Sequence, residues 1–276
     1  MTELGIVDIR EIYKTVKEVY NYDFSQYAMT SFKQRLERLI IKNNISNAEN
    51  LIYKLKNNPE FFDLFLYEVS VPSTEMFRDP SLWRWLREEY LPEAIEKSIS
   101  KYKIWLPNSV SGGELYSLSI VLHELNLFEK VSILATTTSN KSIEYIKEGK
   151  NDLKKIEVSN ENYKRFQGSS DLTDYYTMDR YYAFRNTALI KDVEFNKQNI
   201  NFDDSPQNVK LILFRNNLIY FNPSLQEKTL QHMYNCLSAG GYLILGIREK
   251  IRNLNIIKDF EIINEAEGVY KKRIGT

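Results

Sequence analysis

A four-residue apolar run, Leu211-Ile212-Leu213-Phe214, sets the tightest limit on what this chain can fold into. It is too short for a helix of its own and has no polar alternation. Such a run fits a strand buried on both faces of a parallel sheet. Arg215-Asn216-Asn217 ends it, the chain resumes as Leu218-Ile219-Tyr220-Phe221, and Asn222-Pro223 opens a helix with Pro in its first turn. In open α/β sheets, ligands sit outside the carboxyl ends of the strands. Arg215, Asn216 and Tyr220 are therefore site candidates by position. The same residues also read as a solvated turn and a core tyrosine, and position alone does not choose between the two.

Other segments repeat the pattern. Lys103 to Pro107 reads as a first strand, Asn108 to Glu114 (NSVSGGE) as a glycine turn, and Leu115 to Leu127 as a helix. Strand, glycine turn and helix together present backbone N–H groups and a positive helix end to a ligand. Val131 to Ala135 reads as a second strand, followed by Thr136-Thr137-Thr138 and a helix that Asn140 can cap. A helix from Ser224 to Leu237 holds Cys236 as a core residue, and Gly240-Gly241 turns into the strand Tyr242 to Gly246. Phe260 to Ile263 and Val269 to Arg273 can pair as a closing antiparallel hairpin. Strands alternating with helices predict a parallel sheet with right-handed crossovers. The seven candidate strands suggest an α/β, doubly wound sheet closed by a reversed edge strand. A small β insertion is expected around 150–195, with β-like pieces at Tyr181 to Arg185 and Leu189 to Phe195.

The first third differs. Ile6 to about Val69 carries helical periodicity with almost no Gly or Pro. Helices are expected from Ile9 to Tyr20, Gln26 to Lys42, a segment capped by Asn47, and Glu60 to Glu68 behind Pro59. Arg35, Arg38 and Lys42 fall at spacings of three and four on one face. That basic stripe reads either as a docking ridge for an acidic partner or as a solvated helix face. Val71-Pro72-Ser73-Thr74 predicts a boundary between a helical domain, 1–72, and a second domain, 73–276. Beyond it, a polar hinge from Thr74 to Pro80 leads into a helix from Ser81 to about Ser100, and Arg78 in that hinge can face an interdomain cleft.

Composition removes several classes. The 37 basic and 37 acidic residues cancel, so no overall field draws the chain to nucleic acid or membrane. No stretch approaches the roughly 20 apolar residues of a membrane span, and Met1 to Arg10 lacks a secretory signal pattern. The single Cys excludes an internal disulfide and fits a reducing compartment. Two His and no Cys/His cluster argue against a zinc site. A cytoplasmic monomer is expected.

Five segments together resemble the CheR-type chemoreceptor methyltransferases, which transfer a methyl group from S-adenosylmethionine (SAM) to receptor glutamates. FRNNLIYFNPSLQEKTLQHMYNCLSAGGYLILG resembles that family's CRNVxIYFD…LxPGGxLxxG region, and STEMFRD its threonine-x-x-phenylalanine-arginine junction. WLPNSVSGGELYSL is similar to its TGEEPYS glycine motif, KDVEFNKQNI to its V-x-F-x-x-x-N-L segment, and FKQRLERLI to its basic helix. The resemblance covers nearly the whole chain. It implies a Rossmann-like, seven-stranded methyltransferase domain behind an all-helical domain, with SAM as cofactor and S-adenosylhomocysteine (SAH) as product.

Residue by residue, it implies that Thr74 and Arg78 line the cofactor and substrate cleft, and that Gly112 and Glu114 in the glycine turn meet the methionine portion. Asn199 would contact the adenine side, and Arg215 and Asn216 would complete the pocket. Tyr220 would sit by the transferred methyl group, with Arg78 and Tyr220 as the catalytic pair. Arg35, Arg38 and Lys42 would face an acidic receptor helix or a similar helical partner. The pattern departs at four positions. Thr137 stands where the family carries the acidic ribose-binding residue, Pro72 where the junction has Asn, Gly113 where the motif has Glu, and Leu115 where it has Pro. Losing a charge-assisted hydrogen bond costs about 1.5–3 kcal/mol, which implies weaker cofactor binding. Two functions follow: a protein-glutamate O-methyltransferase, or a catalytically weak or inactive methyltransferase-fold module that docks an acidic helical signalling partner. A small-molecule methyltransferase is disfavoured by the helical domain with its basic ridge.

Overall fold

A computed structural model describes residues 4–70, 75–199, 205–251 and 254–274. Four helices open the chain: α1 (Ile6–Tyr20), α2 (Met29–Lys42), α3 (Ala48–Asn57) and α4 (Pro59–Val69). Asn47 and Asn58 cap α3 and α4 by accepting from the N–H of Asn50 and Phe61, which satisfies donors that the first turn leaves free. The apolar stripes close on a core of their own around Val16, Phe32, Leu36, Leu51 and Phe65. The start of α2 at Met29 rather than Gln26 has a definite cause. The Ala28 N–H donates to the Tyr220 carbonyl at 2.7 Å, and the Gln26 carbonyl accepts from the Asn222 N–H at 2.9 Å. Tyr27 bridges Phe221 in antiparallel fashion. These residues spend their backbone on the sheet's loop, so they cannot join the helix.

The single helix expected from Ser81 to Ser100 is broken. It comprises α5 (Pro80–Trp85), a π turn (Leu86–Tyr90) and α6 (Leu91–Glu96). Pro92 has no N–H to continue the α ladder, and the Leu91 N–H reaches back to the Leu86 carbonyl instead. The rest of the chain runs β1 (Tyr102–Leu106), α7 (Gly113–Glu124), β2 (Val131–Thr137), α8 (Asn140–Glu148), β3 (Lys150–Asp152) and α9 (Leu153–Phe166). Then follow β4 (Tyr176–Met178), β5 (Tyr182–Arg185), β6 (Glu194–Lys197), β7 (Val209–Phe214), α10 (Pro223–Cys236), β8 (Leu237–Leu245), β9 (Phe260–Asn264) and β10 (Val269–Lys272). Ser139, not Asn140, caps α8, accepting from the Ser142 N–H.

Seven strands pair in the order β6-β2-β1-β7-β8-β10-β9. The first five are parallel, and β10 runs against both its neighbours. Leu211 and Leu213 of β7 face one core with Ile104, while Ile212 and Phe214 face the other with Trp105. This is the two-faced burial that the apolar run demands. The reversed strand is not the edge strand that the sequence suggests. β10 lies inside because Val269 and Tyr270 are buried, whereas β9 at the rim exposes Ile262 and Ile263. The insertion is also smaller than expected. β3, β5 and β4 form a separate three-stranded sheet. Leu189 and Ile190 lie in a 3-10 turn, and Phe195 belongs to β6 at the edge of the main sheet. Among the described residues, no helix is long and apolar enough to cross a membrane. Strand order reverses between β1 and β7, and the crevice at their carboxyl ends is where a ligand site is to be sought.

Candidate active site

Three segments converge beyond the ends of β1 and β7, and Arg215 ties them together. Arg215 is 1 % exposed. Its Nη1 donates to Glu114 Oε1 at 2.9 Å and to the Arg78 carbonyl at 3.2 Å, and its Nη2 donates to Asp79 Oδ2. One guanidinium thus joins the end of β7 to the start of α7 and to the hinge before α5. A buried cation between two carboxylates is the arrangement that desolvation tolerates. Burial pushes the Glu114 carboxyl above its ordinary range, while Arg215 pulls it down.

A second carboxylate braces the neighbouring loop. Glu249, just past β8, is 4 % exposed. It accepts from the N–H of Asn216 and Gly246 at 2.7 Å each and from that of Ile219 at 3.2 Å. Burial pushes its pKa up, and these backbone donors oppose the rise. Asn216 sits in the left-handed region at φ 59°, a conformation that Asn tolerates better than most residues. Gly112, the residue before α7, has φ +73°, and a Cβ there would lie 3.0 Å from Ile146 Cγ2. Both backbone and space require glycine at that turn.

Around this frame lies a cleft bordered by Arg78, Gly112, Glu114, Arg215, Asn216 and Tyr220. Arg78 keeps a side chain 37 % exposed, 3.6 Å from Glu75. Tyr220 meets the helical domain. Its ring lies 5.3 Å from the Arg35 guanidinium, a cation–π arrangement. Arg35 is half-buried, and its Nε is buried with no hydrogen-bond partner. Burial lowers its pKa, and the nearby Tyr220, Tyr27 and Tyr13 act against that.

The expected residues divide accordingly. Arg78, Gly112, Glu114, Arg215, Asn216 and Tyr220 share one cleft. Thr137 is 1 % exposed at the end of β2, does not border that cleft, and leaves its Oγ1 buried without a partner. Its neighbour Thr138 contacts Ser70 through a hydroxyl pair at 3.2 Å, beside a small cavity that Tyr220 also lines. Asn199 is buried just past β6. Thr74 and Pro72 fall outside the described residues. The basic stripe does not behave as one surface: Arg35 turns to Tyr220, Arg38 is exposed, and Lys42 pairs with Glu68 at 2.5 Å. Sequence reading missed Asp79 and Glu249. Asp79 directly follows Arg78 in the hinge, within reach of the reasoning that picked out Arg78, whereas Glu249 lies four residues past the end of β8 and carries no such signal.

The description "CheR methyltransferase, SAM binding domain" matches residues 72–268, and "CheR methyltransferase, all-alpha domain" matches residues 7–70. The chain belongs to the CheR methyltransferase family. A Pseudomonas putida relative, Cher3, is 28 % identical over 266 residues, covering 96 % of this chain and 97 % of its own. The chemotaxis protein methyltransferase of Listeria innocua is 25 % identical over 240 residues, covering 87 % and 88 %. That of Borreliella burgdorferi is 27 % identical over 278 residues, covering 95 % and 94 %. The cofactor of the family's domain is SAM, and the residues present suit it. A glycine turn at Gly112, where a Cβ would crowd Ile146, leads into a helix N-terminus that carries Glu114 on the cleft.

Proposed function

We infer that this chain methylates glutamate side chains on the cytoplasmic helices of chemoreceptors. The observation that supports the reading is the placement of Tyr220, which borders one cleft with Arg78 and, through a smaller adjoining cavity, meets Arg35 of the helical domain over its ring. When bound, SAM supplies an electrophilic methyl group on its sulfonium centre. Gly112, Glu114, Arg215 and Asn216 are the residues that would hold it. A glutamate side chain is already ionised at neutral pH, so no strong general base is needed. What the protein must provide is alignment and exclusion of water. Arg78 orients the incoming carboxylate, Tyr220 packs beside the reacting centre, and Arg35 adds a second cation on the side from which a receptor helix arrives. Arg38, exposed on the same helix, extends positive charge along that approach.

Thr137 supports a second reading. Without the ribose carboxylate the chain could dock an acidic helix and turn over poorly or not at all. Calorimetric titration with SAM and SAH separates the two: binding in the micromolar range supports the enzyme, and no binding at millimolar ligand supports the module. Incubation with methyl-labelled SAM and purified chemoreceptor cytoplasmic fragments tests the acceptor. Label released as methanol by mild alkali marks a glutamyl ester, and alkali-stable label would rule out carboxylate methylation.

A further inference from the structure

Arg185, the last residue of β5 in the inserted sheet, is 4 % exposed and has no carboxylate partner among the described residues. Its Nη1 donates to the Ser111 carbonyl at 2.8 Å, and its Nη2 donates to Asn151 Oδ1 at 2.9 Å. Its guanidinium carbon lies 4.8 Å from the Tyr116 ring centroid, and Nε is buried with no partner. A buried cation usually keeps an anion beside it, because desolvation is costly. Arg215 obeys that rule with two carboxylates, and among the described residues Arg185 meets none.

Its position accounts for the difference. Ser111 directly precedes Gly112 and Gly113, which border the cleft. The Arg185 Nη1 would lie 3.4 Å from a Cβ on Gly112. With glycine there, the guanidinium approaches the backbone of the turn that borders the cleft. The bond to the Ser111 carbonyl fixes the loop from behind, so that the N–H groups at the start of α7 remain available on the cleft side. The positive charge adds to that of the helix end. We propose that Arg185 is a positioning residue for the cofactor loop, its charge balanced by the carboxylate of the cofactor's methionine portion. It also makes the inserted sheet part of the cofactor site. The proposal rests on the methyl-transfer reading above.

Titration calorimetry with two ligands tests it: SAH, and 5′-methylthioadenosine, which shares the nucleoside and sulfur but lacks the carboxylate. Arg185→Met is expected to weaken SAH about tenfold and to leave methylthioadenosine nearly unchanged, so the preference for SAH collapses. Arg185→Lys keeps the charge and restores most of the preference. A merely structural role predicts the opposite pattern. Both ligands would then weaken together and the preference for SAH would stay intact. Should Arg185→Met fail to fold, Asn151→Ala carries the test. It frees one side of the guanidinium and should lower the preference by about threefold, and an unchanged preference overturns the proposal. A wild-type chain that binds neither ligand overturns the methyl-transfer reading itself. A wild-type chain that binds SAH, with an unaltered preference in Arg185→Met, overturns only the role of Arg185.

Discussion

Tyr220 stands between two unlike walls, that of the cleft on the sheet side and that of a smaller adjoining cavity on the helical side. On the sheet side, Arg215 meets Glu114 and Asp79, and Glu249 meets three backbone N–H groups. Charge there is matched within the fold. On the helical side, Arg35 lies over the Tyr220 ring with an unpartnered Nε, and no ion pair holds it among the described residues. The first wall pairs its guanidinium with two carboxylates, and the second pairs its guanidinium with none among the described residues. On the methyl-transfer reading, the contrast separates what fixes the shape of the site from what selects its acceptor.

The sharpest way to break the sheet-side wall is Arg215→Ala. It strands Glu114 and Asp79 beside a cavity, and breaking a buried pair in this way costs about 3–5 kcal/mol. Urea denaturation should show that loss, and SAH binding should vanish with it. A loss below about 1 kcal/mol would show that water reaches the pair and that the network is a surface feature.

Thr137→Asp tests the position, at the end of β2 and outside that cleft, where the resemblance puts the ribose carboxylate. A carboxylate placed in the family's ribose position should tighten SAH by about tenfold. Because Thr137 is buried, the ligand-free variant should be less stable than wild type, and saturating SAH should recover the difference. If calorimetry shows unchanged affinity, Thr137 is not at the ribose.

The sheet side was largely legible in the sequence, and the helical side was not. An apolar run ending in Arg215 announces a buried strand and a polar end, because strand burial and strand termini are local properties. Glu249 left no comparable mark. Its partners Asn216, Ile219 and Gly246 come from two different strand ends, and only the finished sheet brings them within reach. The order of β10 and β9 was hidden for a similar reason, since pairing in a hairpin does not say which strand will face inward. Arg35 reads in the sequence as one member of a basic stripe, either a docking ridge or a solvated face. Periodicity gives the angle around a helix, yet it cannot say that Tyr220 will cover one end of the stripe. Arg185 went unnoticed because strands of three or four residues carry little periodicity to read.

A smaller effect is expected where the two domains lock. Asp63 of α4 accepts from the Asn140 and Lys141 N–H groups at the start of α8, at 3.0 and 2.9 Å, and from Lys197 Nζ at 2.8 Å. Burial tends to raise its pKa, but the hydrogen bonds from Lys197, Asn140 and Lys141 outweigh it and leave the carboxyl below its ordinary value. The ionised form is thus favoured in the folded state. Its contribution is present above the unfolded value of roughly 4 and is lost as pH falls through the lower folded value. Asp63→Ala should cost about 1–2 kcal/mol at neutral pH, and the gap to wild type should close in acid. A gap independent of pH would mean that packing, not charge, holds this corner.

The helical wall predicts a change in function with almost none in stability. Arg35→Ala removes a cation–π contact of about 0.5–1 kcal/mol and at the same time relieves a half-buried charge that no carboxylate among the described residues neutralises. The two effects oppose each other, so the unfolding midpoint should barely move. If the guanidinium waits for an acceptor carboxylate, the KM for a receptor fragment should rise several-fold while SAH affinity holds. Arg38→Ala, exposed on the same helix, should change KM less and in a manner screened by salt. Equal effects from the two arginines would return the stripe to a uniform ridge. An unchanged KM in Arg35→Ala would leave the uncompensated charge without a partner and remove the contrast between the walls.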